Sequence, residues 1–219
     1  SGLDYALVAY WRSRGWLAPQ GGLPRIAPVD RIAVVSGSCS PVTAGQIDWA
    51  QANGFACLRL DLAQALDPQQ GPAQVDRLVG QMQAALQAGR SPLVYSARGP
   101  DDGSVVDFEW MAQRARLTPD AAARQIGQSL AAVMSGLLER APLTRIVVAG
   151  GDSSGDVTSA LGIDALTVVA GLAPGAPLCR AWSRQPARNG LELVLKGGQI
   201  GQPSFFGQAL GGTAADGRR

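Results

Sequence analysis

The 219-residue sequence contains no histidine, and among its nineteen basic residues only Lys196 is a lysine. Without histidine, the chain cannot by itself form a Ser-His-Asp or Cys-His nucleophile arrangement. Imidazole is also missing as a metal ligand. This chain by itself therefore cannot provide the commonest hydrolase mechanisms or a histidine-ligated metal centre.

Cysteines and charges are also scarce. The sequence has three cysteines, a small and odd number that does not suit a disulfide framework: Cys39, Cys57 and Cys179. This indicates reduced thiols in a cytoplasmic protein. No apolar run approaches the roughly 20 residues that span a bilayer, and the first residues lack the pattern of a signal peptide. Charged residues make up 16%, the net charge is +2 and the basic residues are scattered. We therefore expect a small ligand rather than a nucleic acid or a membrane.

The hydrophobic residues, 46% of the chain, are arranged as short strand-like runs that alternate with helical patterns. Four apolar runs are typical of buried parallel strands, and three segments have apolar residues at helical spacing. This alternation predicts an α/β fold, with a mostly parallel sheet flanked by helices in Rossmann-like layers. The predicted strands are residues 31–37, 56–61, 91–97 and 145–151, and the predicted helices are residues 41–54, 73–89 and 118–140.

The pattern also divides the chain into regions. We expect residues 1–17 to form an amphipathic helix and residues 18–30, which are rich in proline and glycine, to form a linker. The main domain then covers residues 31–212, and its last part, after Gly162, is rich in strand patterns and poor in helical ones. We expect this strand-rich extension to add antiparallel strands to the sheet. Residues 213–219 are expected to be a disordered tail.

The turn after the first predicted strand is rich in small hydroxyl residues. Ser38 lies in VVSGSCSPVTAGQI, in which Pro41 suits the first turn of a helix. A serine there can either cap the helix or contact a phosphate at its N-terminus. Both interpretations of Ser38 remain open at this point.

A second turn lies in VVAGGDSSGDVTSAL, after the fourth predicted strand. Gly150 and Gly151 allow a ligand to approach the backbone, while Asp152 and Ser153 offer oxygens for an N-cap. The turn has neither the GK[ST] ending of a phosphate loop nor a G-x-G-x-x-G spacing. It therefore predicts an anion site or only a capped helix, and a role as N-cap would by itself explain Asp152.

A third turn follows the strand pattern in LVLKGGQIGQPSFF. Lys196 leads into Gly197 and Gly198, ahead of a short helix that begins near Pro203. The lysine either pairs with a phosphate or discourages pairing on an edge strand.

Other carboxylates offer weaker candidates for chemistry. We interpret Asp101 and Asp102 as a solvated loop, and Asp156 as a residue that stabilises a helix N-terminus. Asp61 has roughly the spacing that a nicotinamide-dependent enzyme requires, but the preceding turn has one glycine where the dinucleotide motif needs three. The catalytic base is left unassigned.

Four motifs in order, VVSGSCSPVTAGQI, VVAGGDSSGDVTSALGI, LAPGAPLCRAW and LELVLKGGQIGQPSFFGQAL, resemble the C-terminal, nucleotide-binding half of the four-carbon acid sugar kinase family. The resemblance covers roughly residues 30 to 212. It implies ATP-dependent phosphorylation of a hydroxyl of threonate, erythronate or 3-oxo-tetronate, with Mg²⁺. The residues that it places near ATP are Ser38, Gly150, Gly151, Asp152, Ser153 and Gly198.

Two positions depart from the family pattern. Ser153 stands where the family commonly has threonine, which keeps a hydroxyl group. Gly197 stands where the family commonly has serine, so a polar contact that the family pattern would offer is not expected here.

Members of the family have two halves, and the first half supplies most of the acid-sugar site. The resemblance implies that this chain is the second half, that the first half is its partner, and that the fragment alone is inactive. The sequence is compatible with a homodimer. The alternative is a non-catalytic module that binds a nucleotide or another phosphate ligand.

Overall fold

A seven-stranded sheet organises the part of the chain that the computed structural model describes, residues 2–18 and 24–212. The strands are β1 (Ala33–Ser36), β2 (Ala56–Arg59), β3 (Pro92–Tyr95), β4 (Arg145–Ala149), β5 (Ala165–Ala173), β6 (Ala176–Trp182) and β7 (Glu192–Lys196). Their order in the sheet is β2-β3-β1-β4-β7-β6-β5. The first four strands and β7 are parallel, and β5 and β6 complete the sheet in antiparallel pairs.

The predicted α/β class is confirmed, and each of the four predicted strands is present over a shorter range. Strands β1, β3 and β4 are buried along their whole length. A continuous apolar run is the pattern of a parallel strand covered on both faces, which is why these strands were visible in the sequence. The expected antiparallel extension is confirmed for β5 and β6, but β7 is parallel to β4.

Helices cover both faces of this sheet. Helices α4, α7 and α8 pack on one face, and α2 and α9 pack on the other. The helices are α1 (Gly2–Ser13), α2 (Pro41–Ala52), α3 (Leu62–Leu66), α4 (Gln70–Gln87), α5 (Gly103–Val106), α6 (Phe108–Arg114), α7 (Pro119–Arg140), α8 (Gly151–Ala160) and α9 (Phe205–Gly211). None of the helices in residues 2–18 and 24–212 is long and apolar enough to cross a membrane.

The predicted helix starts depend on local capping. The Thr118 side chain accepts a hydrogen bond of 3.2 Å from the amide of Ala121, and Pro119 occupies the first helical position of α7. Such a cap satisfies an amide that would otherwise lack a partner at the helix start. The start of α7 therefore follows from Thr118 and Pro119 and needs no tertiary contact.

The proposed division into regions stays a prediction. Helix α1 is present, although it ends at Ser13 rather than at residue 17. Part of the expected linker, residues 19–23, and the expected disordered tail, residues 213–219, lie outside the described residues.

A buried arginine joins several elements at the amino ends of the strands. Arg145 is 1% exposed and pairs with Glu192, with 2.7 Å between Nε and Oε2. Its guanidinium group also donates to the carbonyl oxygens of Ala209 at 2.6 Å and Ala27 at 3.0 Å. One side chain thus fastens β4, β7, α9 and the segment before β1, at the end of the sheet opposite the predicted site.

Candidate functional site

The three predicted turns meet at the carboxyl ends of neighbouring strands. Strand β4 lies between β1 and β7, so the turns after these strands are adjacent. The amide of Gly37 donates to the carbonyl of Ala149, and the amide of Gly150 donates to that of Lys196, both at 2.9 Å. Helices α2 and α8, which follow β1 and β4, lie on opposite faces of the sheet. Such a divergence opens a crevice at the strand ends, where α/β proteins bind ligands.

Two glycines allow the turns to approach one another closely. A Cβ atom at Gly37 would collide with the Ser153 hydroxyl, and a Cβ atom at Gly198 would lie 2.6 Å from Ser38 Oγ. Real Cβ atoms are not found so near other heavy atoms. The structure therefore brings together Ser38, Ser153 and Gly198, which are distant in the sequence.

In the first turn, Ser38 does not cap the following helix. Ser40, and not Ser38, is the N-cap of α2, and its side chain accepts from the amide of Val42 at 3.2 Å. Ser38 Oγ instead accepts from the amide of Ser40 at 3.2 Å. The interpretation of Ser38 as the helix cap is wrong, because α2 begins at Pro41, two residues later than that role requires. Contact of Ser38 with a ligand stays a prediction.

Helix α8 begins without a side-chain cap. Its N-cap is Gly150, with φ +130°, a backbone conformation that favours glycine. Asp152 and Ser153 lie inside the first turn, so the expectation that they serve as the N-cap is wrong. Among the described residues, nothing accepts a hydrogen bond from the amides of residues 151–153. These amides carry the positive end of the helix dipole, which attracts anions.

The third turn is held from beneath by Lys196. Strand β7 lies between β4 and β6, so the edge-strand interpretation of this lysine is wrong. Its Nζ donates to Thr43 Oγ1 at 2.9 Å and to the carbonyl of Gly197 at 3.1 Å. Burial lowers the pKa of Lys196 to about 8, because a charged group loses hydration in the interior.

Two residues that sequence reasoning missed hold the same turn. The Thr43 hydroxyl donates to the carbonyl of Gly198 at 2.9 Å, and Gln46 Nε2 donates to the carbonyls of Ile200 at 2.9 Å and Gln202 at 3.1 Å. Both side chains lie on the buried face of α2. In the sequence, both polar residues share a helix face with the apolar residues Ile47 and Ala50. Since buried polar groups need hydrogen-bond partners, this position was the signal that could have identified Thr43 and Gln46.

A cavity of about 220 Å³ adjoins the first two turns. Its walls include Gly37, Asp152 and Ser153, together with apolar side chains of α3, α6 and α7. The Asp156 carboxylate also lines it and packs so closely on Gly127 of α7 that a Cβ there would collide with it. Asp152 and Asp156 are thus near each other at the cavity. Within the described ranges there is no cluster of three or more histidine, cysteine, aspartate or glutamate residues that could hold a metal.

The expected solvated loop at Asp101 and Asp102 is wrong for Asp102. Its side chain is 5% exposed, pairs with Arg59, and accepts from Ser104 Oγ at 2.7 Å and from the amide of Arg98 at 2.8 Å. Burial alone would raise the pKa of Asp102, but the hydrogen bonds from Arg59 and Ser104 outweigh it and hold that pKa well below its usual range. Asp102 therefore caps α5 and fixes the loop after β3, beside the cavity.

We expect Asp102→Asn to lower the free energy of unfolding at pH 7 by about 1.5 kcal/mol, because the variant loses charged hydrogen bonds inside the protein. Folding lowers the pKa of Asp102 from its unfolded value of 3.8. The carboxylate therefore stabilises the folded state above pH 3.8, and this stabilisation is lost as the pH falls below that value. Urea unfolding of both proteins at pH 7 and pH 3 checks this. An equal difference at the two pH values would contradict the assignment.

Comparison with known proteins identifies a family and several curated relatives. A family model described as "Nucleotide-binding C-terminal domain" matches residues 33–206. The 3-oxo-isoapionate kinase of Paraburkholderia graminis is 57% identical over 215 residues, which cover 98% of this chain and 46% of that protein. The 3-oxo-tetronate kinase of Cupriavidus necator is 35% identical over 212 residues, 96% of this chain and 45% of that protein. The chain thus spans about half the length of the curated relatives it matches.

A solved structure has the same fold, and there too the chain matches less than half of the longer protein. A Haemophilus influenzae protein of the DUF1537 family superposes with a TM-score of 0.71 and 25% sequence identity. The superposition covers 88% of this chain and 43% of that protein.

Proposed function

Because the chain belongs to the family of nucleotide-binding C-terminal domains, we propose that it is the ATP-binding half of a kinase that phosphorylates a hydroxyl of a small sugar acid, of the four-carbon 3-oxo-tetronate class. The names of its relatives support this reaction type, and their greater length supports a second half that holds most of the acid. The proposal assigns the nucleotide to this chain and the choice of sugar acid mainly to the other half.

The observation that carries the proposal is the meeting of three turns around the uncapped start of α8. Phosphoryl transfer requires positioning and charge stabilisation of phosphates more than a reactive side chain. Backbone amides at a helix N-terminus and small hydroxyl groups provide such stabilisation. A chain without histidine is therefore suited to this chemistry.

In this proposal the amides of Gly151, Asp152 and Ser153 bind a phosphate, and Ser38 and Gly198 form the opposite wall. The glycines support this arrangement, because a side chain at Gly198 would occupy the space beside Ser38 Oγ. The mostly apolar cavity next to Gly37 could receive the uncharged part of the nucleotide.

The residues present also fit a magnesium ion that arrives with the nucleotide. Mg²⁺ in such sites is held by one or two carboxylates and by phosphate oxygens, so no larger protein cluster is needed. Asp152 and Asp156 line the same cavity and offer these carboxylates. The ion would neutralise negative charge on the phosphates.

Titration calorimetry with Mg-ATP tests the nucleotide site. We expect saturable binding of one nucleotide per chain, and much weaker binding of adenosine, because adenosine lacks the phosphates that the amides would bind. No detectable binding of Mg-ATP at millimolar concentration would contradict the proposal.

A kinase assay distinguishes an enzyme half from a non-catalytic module. The chain would be joined to the N-terminal half of the Paraburkholderia graminis relative, and ATP consumption measured with 3-oxo-tetronate and 3-oxo-isoapionate. Turnover supports the kinase, while nucleotide binding without turnover of either acid favours the non-catalytic module.

A further inference from the structure

Lys196 is buried beneath the third turn in an unusual hydrogen-bonded arrangement. Its side chain is 1% exposed and its Nζ lies 2.9 Å from Thr43 Oγ1, 3.1 Å from the carbonyl of Gly197 and 3.5 Å from the carbonyl of Gly198. The Thr43 hydroxyl donates in turn to the carbonyl of Gly198 at 2.9 Å. A chain of hydrogen bonds therefore runs from the ammonium group through Thr43 to the turn.

No carboxylate compensates this charge within the described residues. Lys196 lies on the same side of the sheet as Val194, facing α2 and α9. On α2 the charged residue, Asp48, pairs with Arg98, while α9 and the turn 197–204 contain no titratable side chain. Most of the other titratable groups on neighbouring elements lie at the opposite end or on the other face of the sheet. Arg145 and Glu192 are at the amino ends of β4 and β7, and Cys179 and Arg180 of β6 pair with that end of β7. Asp152 and Asp156 belong to α8, on the other face of the sheet, and Cys39 precedes α2.

The arrangement fixes the direction of two peptide groups. No peptide bond among the described residues is cis, and in a trans peptide the N–H points away from the preceding C=O. Since the carbonyls of Gly197 and Gly198 point toward Lys196 and Thr43, the amides of Gly198 and Gln199 point away from them. Nothing among the described residues accepts a hydrogen bond from these two amides. Consecutive amides that point the same way form a concave site for anions.

We propose that Lys196 is a positioning residue of the nucleotide site, which turns the amides of Gly198 and Gln199 toward a phosphate group and whose buried charge is balanced by that phosphate. This inference rests on the proposed function. A buried charge is costly unless it is paired, and the phosphate supplies the negative charge that no described residue places beside Lys196. Lys196 itself need not touch the nucleotide.

The role implies that nucleotide binding is linked to proton uptake. Burial lowers the pKa of Lys196 to about 8 in the nucleotide-free chain. A phosphate bound nearby favours the charged form and raises this pKa. Above pH 8, Lys196 is uncharged in a fraction of the protein molecules, and in these it must gain a proton when nucleotide binds. The affinity for nucleotide therefore falls as the pH rises further. The phosphates of the nucleotide have already lost their protons in this range and do not contribute.

We test this with Lys196→Met, which replaces the ammonium group by an apolar chain of similar length. Mg-ADP is titrated at pH 8.5 in two buffers with different heats of ionisation, which reports proton uptake together with affinity. We expect wild type to take up a fraction of a proton, and the variant to bind about tenfold more weakly with no uptake. Arg180→Met is the control for net charge, because Arg180 is exposed on β6, and it should match wild type.

A second pair of variants separates charge from hydrogen bonding. Thr43→Val removes the bridge to Gly198 but leaves the lysine, so we expect weaker binding with proton uptake retained. Thr43→Ser keeps the hydroxyl and should bind as wild type does. These variants also decide the matter if thermal melts show that Lys196→Met does not fold.

The outcomes separate this inference from the proposed function. Wild type that does not bind Mg-ADP contradicts the nucleotide site itself. Wild type that binds, with Lys196→Met unchanged in affinity and in proton uptake, overturns the role of Lys196 alone. If Lys196→Met is unfolded, unchanged affinity of Thr43→Val overturns it.

Discussion

Replacement of Gly198 by alanine is expected to weaken Mg-ATP binding about a hundredfold, equivalent to about 2.7 kcal/mol. The added Cβ would lie 2.6 Å from Ser38 Oγ and 3.0 Å from Ser40 Cβ. Rotation of the Ser38 side chain would relieve the first contact, but Ser40 Cβ is fixed to the backbone, so the third turn must move away from the first. Such a movement displaces the amides of Gly198 and Gln199 and the Ser38 hydroxyl together, which is why one methyl group has so large an effect.

The neighbouring glycine offers a matched control. A Cβ at Gly197 would meet Ile200 Cγ1 at 3.5 Å, an ordinary van der Waals contact, so Gly197→Ala should bind Mg-ATP as wild type does. Both variants are compared by calorimetry after thermal melts establish that they are folded. Equal affinity of Gly198→Ala and Gly197→Ala would show that the close contact between the turns does not shape the nucleotide site.

Replacement of Arg145 by methionine is expected to lower the free energy of unfolding by about 3 kcal/mol, because removal of one partner from a buried ion pair leaves the other uncompensated. Arg145 is 1% exposed and bonds to Glu192 and to two carbonyl groups on separate segments. Methionine fills much of the volume but offers no hydrogen bond. The loss therefore reports the polar network rather than a cavity.

Urea unfolding followed by circular dichroism measures this effect. The control is Arg140→Ala, because Arg140 pairs with Asp76 at the surface, where the two side chains are 44% and 70% exposed. Such an exposed pair contributes about 1 kcal/mol at most. If the two variants were destabilised equally, Arg145 would not be the anchor that its contacts indicate.

The elements that could be predicted from the sequence are those whose cause is local. Strands β1 and β4 are continuous apolar runs, and α7 begins where threonine and proline provide a cap. The positions of the three turns followed from the same patterns, since each turn comes directly after a strand. The carboxyl ends of parallel strands lie at one edge of the sheet, so a shared site was also foreseeable.

The predictions that failed depended on partners far away in the chain. An edge-strand role was one of two interpretations of Lys196, because nothing in LELVLKGG reveals that β4 and β6 flank this strand. Asp102 was placed in a solvated loop, because its partner Arg59 is 43 residues away. Side-chain oxygens of Asp152 and Ser153 were candidates for the N-cap of α8, whereas the N-cap is Gly150, at least two residues earlier.

The sequence by itself determined the α/β class, the alternation of strands and helices, and the small glycine and hydroxyl residues that follow β1, β4 and β7. These features depend on the period of apolar residues and on caps within a few positions, which the chain carries locally. Only the tertiary structure decided that Ser38 lies against Gly198 and that Ser153 lies against Gly37. It also placed beneath them a buried lysine that has no carboxylate partner in the part of the chain that the structure describes. Such contacts depend on the order of strands in the sheet, and residues more than a hundred positions apart become neighbours only when that sheet is assembled.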